Sequence, residues 1–485
     1  MLFNSVEFLF FLPIVFILYW FVFYRSIKSQ NVFVIAISYL FYGWWDWRFL
    51  LLIAFTTGCS FVNGLLITNC KAKGDVRKAK LVSIANIVIN LFILGLFKYY
   101  NFFAESLVSL FSVWQIDIDY PTLNIILPVG ISFYTFQALS YTIDVYRGKI
   151  EATKDPFAFF AFISFFPQLV AGPIERASDL LPQFQRERIF NYSIAVDGCR
   201  QMLWGFFKKI VIADNCAYYA NMAFENYNEW DALSLLFGAI FFTLQIYGDF
   251  SGYSSIAIGC AKLFGIKLQP NFKVPYFSRD ISEFWKRWHI SLNKWFVDYV
   301  YIPLGGSRVS KAKVVRNTFV IFLLSGLWHG ANWTYVAWGL YHACLFLPLI
   351  LLHKNHRYKS GFDQNKKIPS LSEFINICIT FMLVMIGWII FRSTSLAHAI
   401  QYIIGMLDFG QISEVKLPLF SLWIFLVSII VIVVEWWNRN EEHEFKRIIS
   451  NNWVRTIVYC LLISSIYISF MASIESDNTF IYFQF

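Results

Sequence analysis

The sequence is poor in charged residues. Only 15% of its 485 residues are Asp, Glu, Lys or Arg, whereas soluble domains carry about 25%. Hydrophobic residues make up 58%. So little charge cannot cover a water-facing surface, which excludes a soluble enzyme, a secreted disulfide scaffold, a disordered protein and a β-barrel. Since a membrane-crossing helix needs about 20 apolar residues, the composition predicts an all-α polytopic membrane protein with about 10 to 12 spans.

Several familiar motifs are absent as well. The sequence has no Walker A loop, Rossmann fingerprint, G-x-S-x-G or H-E-x-x-H. Its eight cysteines form no C-x-x-C pair and lie mostly in apolar runs, so neither a disulfide framework nor a metal site is expected. No internal repeat is evident, which disfavours a transporter built on inverted repeats. Arg25 and Lys28 follow the first apolar run instead of preceding it, so no cleavable signal peptide is expected.

Basic residues outnumber acidic ones by 40 to 31, which gives a net charge of +9. In a membrane protein this excess belongs in cytoplasmic loops and beside anionic headgroups, so no nucleic-acid partner is expected. If the basic clusters face the cytoplasm, the first span runs inward and the N-terminus lies outside. The acidic Asp117 and Asp119 then suit the outer face, and the C-terminal 480–485 returns there. The clusters lie at 25–28, 71–80, 147–154, 308–316, 354–367 and 439–447.

Two regions differ from simple spans. Residues 253–316 mix Gly, Pro, aromatic and charged residues, which predicts a segment along the membrane interface. Residues 317–352 form one apolar run with basic clusters on both sides, so the chain must turn back within it, most naturally at 326–333. His329 follows Arg316 by 13 residues and therefore lies about 20 Å from the cytoplasmic surface.

His329 is the main candidate for a catalytic residue, because an ionisable side chain inside the membrane is costly and usually functional. Trp328 and Trp333 could wall a dry pocket around it, and Asn332 could orient its ring. The alternative is a buried neutral histidine that bonds to a carbonyl. Among the seven histidines, four have simpler explanations at a helix end or in a cytoplasmic loop: His342, His353, His356 and His398.

His289 is the second candidate. Asp280 followed by Glu283 is typical of a helix start, and the pattern after it predicts one interfacial amphipathic helix. Trp285 and Trp288 fall on its apolar face with His289 at the edge. Glu283, Lys286 and Arg287 fall on its polar, solvent-facing side, where the two basic residues could bind phosphates. The alternative is a headgroup-level anchor.

A third group of polar residues follows an apolar run at membrane level. Asp249 is interpreted as either a polar brace or a tunnel residue, with Ser251 and Tyr253 beside it.

Recognisable segments occur in order along nearly the whole chain: LPVGISFYTF at 127–136, FPQLVAGPI at 166–174, DFSGY at 249–253, WKRWHISL at 285–292, YIPLGG at 301–306, GLWHG at 326–330 and the terminal 480–485. Taken together, these segments strongly resemble the membrane-bound O-acyltransferase (MBOAT) family, in its bacterial alginate and peptidoglycan O-acetyltransferase branch. Ser255 departs from the family pattern, because relatives often carry Asp there.

The resemblance implies one membrane domain over 1–485, with N-terminal helices at 1–120, a catalytic core at 121–350 and C-terminal helices at 351–485. It implies a ring of helices, with re-entrant and interfacial helices, around a central tunnel. His329 matches the family's catalytic histidine, and His289 matches its second, cytoplasm-proximal position.

In function, the resemblance implies acetyl transfer from cytoplasmic acetyl-CoA, as a substrate rather than a bound cofactor, to a cell-envelope polysaccharide. A periplasmic SGNH-type transferase would be the partner, and the bilayer of the bacterial inner membrane the location. Two alternatives stay open: acylation of a protein or lipid carrier, and transport without catalysis.

Overall fold

The computed structural model describes residues 1–116, 120–123, 126–170, 172–358, 368–408, 410, 420–446 and 451–473. Within these ranges the protein has twenty α-helices and no strand, so the predicted all-α class is confirmed. The chain forms two compact units, one of residues 1–198 with 260–269 and the other of residues 199–259 with everything from 270 onward. The predicted sections bounded at 120 and 350 stay a prediction. Asp117, Asp119 and the C-terminal 480–485 lie outside the described residues.

The first unit contains nine whole helices. Their bounds are α1 Val6–Ile17, α2 Ile27–Gly43, α3 Arg48–Ala72, α4 Val76–Leu94, α5 Tyr100–Ser112, α6 Ile131–Arg147, α7 Pro156–Ser164, α8 Phe166–Leu169 and α9 Ala177–Phe184. Two further helices carry residues of both units: α10 Tyr192–Phe206 and α12 Ala232–Leu263.

The second unit contains the remaining helices. Their bounds are α11 Asp214–Glu225, α13 Ile281–Arg287, α14 Ile290–Phe296, α15 Lys311–His329, α16 Trp333–Leu351, α17 Leu371–Arg392, α18 Leu396–Leu407, α19 Phe420–Trp437 and α20 Asn452–Ser473. Short π-helical turns follow α10 and α14.

Among the residues that the structure describes, six helices are long and apolar enough to cross a membrane. Three shorter apolar helices accompany them: Val6–Val22, Leu396–Leu407 and Leu422–Trp437. The protein is therefore a polytopic membrane protein, while the predicted total of about 10 to 12 spans stays a prediction. The six are Arg48–Ala72, Val76–Ser112, Ala232–Leu263, Trp333–Leu351, Leu371–Arg392 and Asn452–Ala472.

Polar side chains join helices inside the first unit. Asn86 of α4 is fully buried and donates hydrogen bonds to Thr142 Oγ1 of α6 at 2.6 Å and to Ser60 Oγ of α3 at 3.3 Å. Between apolar helices there is little hydrophobic gain, so such hydrogen bonds and close packing hold them together. This amide therefore links three helices.

Glycines bring α15 and α16 together in the second unit. A Cβ at Gly326 would overlap the carbonyl oxygen of Tyr335, and a Cβ at Gly339 would overlap that of Phe322. Each helix thus has a glycine against the backbone of the other, which is the small-residue packing expected of membrane helices. The chain turns back between His329 and Trp333, as the sequence predicted, and His329 is the last residue of α15.

Gly339→Ala is expected to destabilise the protein by about 1 to 3 kcal/mol, the usual cost of overpacking. The added methyl group meets a backbone carbonyl that cannot move aside, and this outweighs the roughly 1 kcal/mol by which Ala favours a helix over Gly. The apparent melting temperature of the detergent-solubilised protein measures the change. Gly58→Ala in α3 is the control, because no atom lies within 4 Å of its added Cβ. Equal melting temperatures for both variants would contradict the packing argument.

Candidate active site

The region around His289 folds as two helices instead of one. Asp280 caps α13 by accepting the N–H of Glu283 at 2.7 Å, so the predicted start is confirmed. The helix ends at Arg287, Trp288 is extended, and His289 is left-handed with φ 44° and ψ 54°. A second helix, α14, then begins at Ile290. The prediction of one continuous amphipathic helix was therefore wrong.

Tertiary hydrogen bonds explain this break. The Lys273 N–H donates to the Arg287 carbonyl at 3.0 Å, and the Ile290 N–H donates to the Asn271 carbonyl at 2.9 Å. The Asn293 side chain donates to the carbonyls of Trp285 and Trp288, both at 2.6 Å. A left-handed non-glycine residue costs on the order of 1–3 kcal/mol, and such strain concentrates at functional sites. These bonds satisfy the backbone groups that the break leaves without a helical partner.

His289 is buried, with 1% of its surface exposed. Its Nδ1 lies 3.0 Å from Asn271 Oδ1, and its ring meets the Phe250 ring edge-on at a centroid distance of 4.7 Å. Because burial disfavours the charged imidazolium, the His289 ring rests in its neutral form. The ring faces the protein interior, which contradicts the alternative of an anchor displayed on the helix surface.

His329 lies close to His289, with 6.4 Å between the ring centroids. It is 4% exposed and packs edge-on against Trp328, Trp338 and Phe391 at centroid distances of 5.0, 5.1 and 5.4 Å. The structure thus brings together the two histidines that the sequence singled out, although 40 residues separate them. A reacting group that fits between the two rings could exchange a proton with either.

Asn332 and Trp333 have other positions than predicted. The Asn332 side chain caps α16, accepting the N–H of Thr334 at 3.0 Å and donating to the Thr394 carbonyl at 3.3 Å. Its contacts fix the start of α16, and an orienting role toward His329 stays a prediction. Trp333 is 53% exposed, so the prediction that it walls the pocket was wrong.

The predicted Trp285, Trp288 and Trp328 are all buried. Two further tryptophans, Trp338 and Trp388, pack against this group. The ring centroids of Trp285 and Trp338 are 5.5 Å apart, and those of Trp288 and Trp388 are 4.8 Å apart. Neither Trp338 nor Trp388 was predicted. Trp388 lies in α17, far from the recognisable motifs, and so had no local signal.

Three predicted site residues lie on α12: Asp249, Ser251 and Tyr253. Asp249 forms an ion pair with Lys209 at 2.8 Å, and Lys209 also binds Asp214 at 2.7 Å, which fits the polar-brace interpretation. Ser251 and Tyr253 are buried. Phe250, which the sequence analysis did not single out, is the residue of this helix whose ring packs on His289.

His342 lies neither at a helix end nor in a loop, so that prediction was wrong. It lies in the middle of α16, fully buried, with its ring 5.0 Å from Trp285 and 5.1 Å from Trp338. Neither ring nitrogen has a hydrogen-bond partner among the described residues. Tyr335, Trp338 and His342 are spaced by three and then four residues, which puts them on one helix face. This spacing in the sequence predicts that His342 faces the same aromatic side of the helix.

The predicted phosphate-binding residues differ in exposure. The Lys286 side chain is exposed and its Nζ donates to the Asn355 carbonyl at 3.1 Å. The Arg287 guanidinium is mostly buried and pairs with Glu283 at 2.7 Å. Glu283, expected on a solvent-facing surface, is 2% exposed and also binds Arg279 at 2.9 Å. That expectation was wrong, because two arginines hold the carboxylate inside.

Comparison with known proteins connects this site to a family. The model of the family described as "MBOAT, membrane-bound O-acyltransferase family" matches residues 149–391, which include both histidines. The chain is 41% identical over 419 residues to the "Probable alginate O-acetylase AlgI" of Pseudomonas aeruginosa, covering 86% of this chain and 77% of that protein. It is 31% identical over 535 residues to the "Peptidoglycan O-acetyltransferase" of Helicobacter pylori, covering 100% and 98% of the two chains.

A third relative has a different named activity. The "Teichoic acid D-alanyltransferase" of Bacillus subtilis is 30% identical over 292 residues, which cover 58% of this chain and 72% of that protein. The matched relatives thus include acyltransferases named for three envelope polymers. The extent of the family match and the identity across most of the chain show that this protein belongs to the membrane-bound O-acyltransferase family.

Proposed function

We propose that the protein transfers an acetyl group from cytoplasmic acetyl-CoA toward a hydroxyl of a cell-envelope polysaccharide of the alginate or peptidoglycan type. The observation that carries the proposal is the pairing of His289 and His329 in one buried aromatic site. The protein resides in the bacterial inner membrane with its N-terminus outside. Donor and acceptor meet at this site from opposite faces of the membrane, through a central tunnel.

The proposed reaction uses the two imidazoles as proton carriers. The acceptor oxygen attacks the thioester carbonyl carbon while His329 takes the hydroxyl proton as general base. The carbon–sulfur bond then breaks, and the coenzyme A sulfur leaves as a thiolate that receives the proton. The products are an acetyl ester and free coenzyme A. A periplasmic SGNH-type transferase would pass the acetyl group on to the polymer.

Transfer of label tests this function directly. The purified protein is reconstituted in liposomes with radiolabelled acetyl-CoA outside and an envelope polysaccharide inside, with and without extracts of periplasm. Label that reaches the polymer, with or without a labelled periplasmic protein on the way, supports the proposal. Label that stays in acetyl-CoA under all conditions, together with unchanged O-acetylation of every envelope polymer in a deletion strain, overturns it.

Acylation of a protein or lipid carrier is the second candidate, because the relatives' names differ in acyl group and acceptor and so leave the acceptor of this protein open. The same experiment separates the two. If the label appears on a carrier protein or lipid and never on polysaccharide, carrier acylation is the function.

Lys286→Ala is expected to raise the KM for acetyl-CoA about tenfold, equivalent to about 1.4 kcal/mol, with kcat little changed. The exposed ammonium group would bind donor phosphates without taking part in the chemical step. Initial rates at varied acetyl-CoA measure the effect. S-acetyl-pantetheine, which lacks phosphate, should be used equally well by both proteins. Lys78→Ala, an exposed lysine of the first unit, is the control. A KM that rises equally for both donors would contradict phosphate binding.

A further inference from the structure

Asn271 is the polar residue that contacts the His289 ring. Its side chain is 1% exposed and uses both ends of the amide. Oδ1 lies 3.0 Å from His289 Nδ1 and accepts from Ser291 Oγ at 2.9 Å, while Nδ2 donates to Ser254 Oγ at 3.2 Å. The Asn271 carbonyl also accepts the N–H of Ile290, directly after His289. Backbone and side chain of one residue therefore hold the ring.

This arrangement decides which nitrogen of His289 carries the proton. An amide oxygen can only accept hydrogen bonds, so the Nδ1 that faces it must be the protonated one. A neutral imidazole has one N–H, so Nε2 keeps its lone pair. Nε2 is buried and has no hydrogen-bond partner among the described residues. The second histidine thus offers an acceptor, not a donor, to whatever enters the site.

We propose that Asn271 is a positioning residue that fixes His289 in the Nδ1–H tautomer, so that His289 receives a proton during acyl transfer instead of donating a hydrogen bond to the thioester carbonyl. The role in transfer rests on the proposed function, whereas the tautomer does not. Because the ring centroids are 6.4 Å apart, the proton that His329 takes from the hydroxyl reaches His289 Nε2 through the reacting group that lies between the two rings. The departing thiolate of coenzyme A then takes it, which returns both rings to the neutral state.

The tautomer is measurable without any activity assay. Full-length protein with ¹⁵N-labelled histidine rings is reconstituted in bilayers, and the His289 signals are assigned by their loss in His289→Gln. Solid-state NMR should show a protonated Nδ1 and an unprotonated Nε2. In Asn271→Leu, whose side chain has the same branched shape but no hydrogen-bond acceptor, the preference should be lost. A protonated Nε2 in the unaltered protein would overturn the proposal, even if acetyl transfer is confirmed.

Two substitutions separate positioning from simple structural support. Asn271→Asp keeps an acceptor for both Nδ1–H and Ser291, so it should retain kcat within about tenfold. Asn271→Leu should lower kcat at least about 100-fold, the low end for general acid–base groups, with the KM for acetyl-CoA within about threefold. Ser254→Ala removes only the partner of Nδ2 and should stay near the unaltered protein. Equal losses in the Asp and Leu variants, with melting temperatures unchanged, would overturn the assignment. If the unaltered protein shows no transfer, the proposed function fails and the NMR result still decides the tautomer.

Discussion

His329→Ala is expected to reduce acetyl transfer at least about 100-fold and to leave the protein folded. General acid–base groups contribute about 10²–10⁴ in rate, and His329 is the base in the proposed step. The ring is 4% exposed and packs against three aromatic rings, so no water can easily replace it as a base. Single-turnover rates with labelled acetyl-CoA in liposomes measure the loss.

Controls for His329 must exclude unfolding as the cause. His329→Gln preserves much of the ring's volume without a base, so it should lose activity to the same degree with less change in melting temperature. His356→Ala is the matched control, because that histidine is exposed. If the folded Ala and Gln variants still transfer acetyl groups at the original rate, catalysis by His329 is wrong. Movement of a small molecule that persists in both would favour the transporter alternative.

Glu283→Ala is expected to destabilise the protein by about 3–5 kcal/mol, the cost of removing one partner of a buried ion pair. The Glu283 carboxylate accepts two hydrogen bonds from Arg279, one from Nε at 3.0 Å and one from the Arg279 backbone N–H at 2.8 Å. It accepts a further hydrogen bond from the Arg287 guanidinium. Removal of the Glu283 carboxylate deprives the buried Arg287 of this ion pair. Arg279 keeps its second ion pair, with Glu373 at 2.9 Å. A large fall in melting temperature should accompany the loss of activity, because α13 carries the break at His289.

The matched control for Glu283 is Glu442→Ala. Glu442 pairs with Lys446 four residues later, but both side chains are more than 40% exposed. Exposed pairs of this kind contribute about 0.3–0.5 kcal/mol, so the melting temperature should hardly change. A similar small change in Glu283→Ala would show that the buried pairs do not stabilise α13. Chemical denaturation in mild detergent gives the free energies for both.

The sequence predicted the parts of the site that depend on local signals. Gly326, Gly330 and Asn332 mark a turn inside an apolar run, and the basic flanks require that turn, so the position of His329 at a helix end followed. The all-α class followed from composition alone. These predictions succeed because turn signals, helix capping and charge distribution are properties of neighbouring residues.

The parts that depend on distant residues were missed. A helical wheel of 280–299 cannot show that Lys273 and Asn271 would bond to the backbone at 287–290 and break the helix. It also placed Glu283 in water, because the wheel does not show that Arg279 folds back to bury it. His342 was judged from its neighbours in sequence, and its burial arises from Trp285 on another helix.

The packing of Gly326 against Tyr335 and of Gly339 against Phe322 has a consequence for how acyl-group size is selected. Two helices packed backbone to backbone cannot slide along each other without overlap, so α15 and α16 hold one register, with His329 at the end of α15. The room beside that imidazole is then set by the rings facing it, Trp338 and Phe391, and not by movement of the backbone. Variants of this protein selected to accept bulkier acyl donors should therefore carry substitutions first at Trp338 and Phe391. They should retain Gly326 and Gly339.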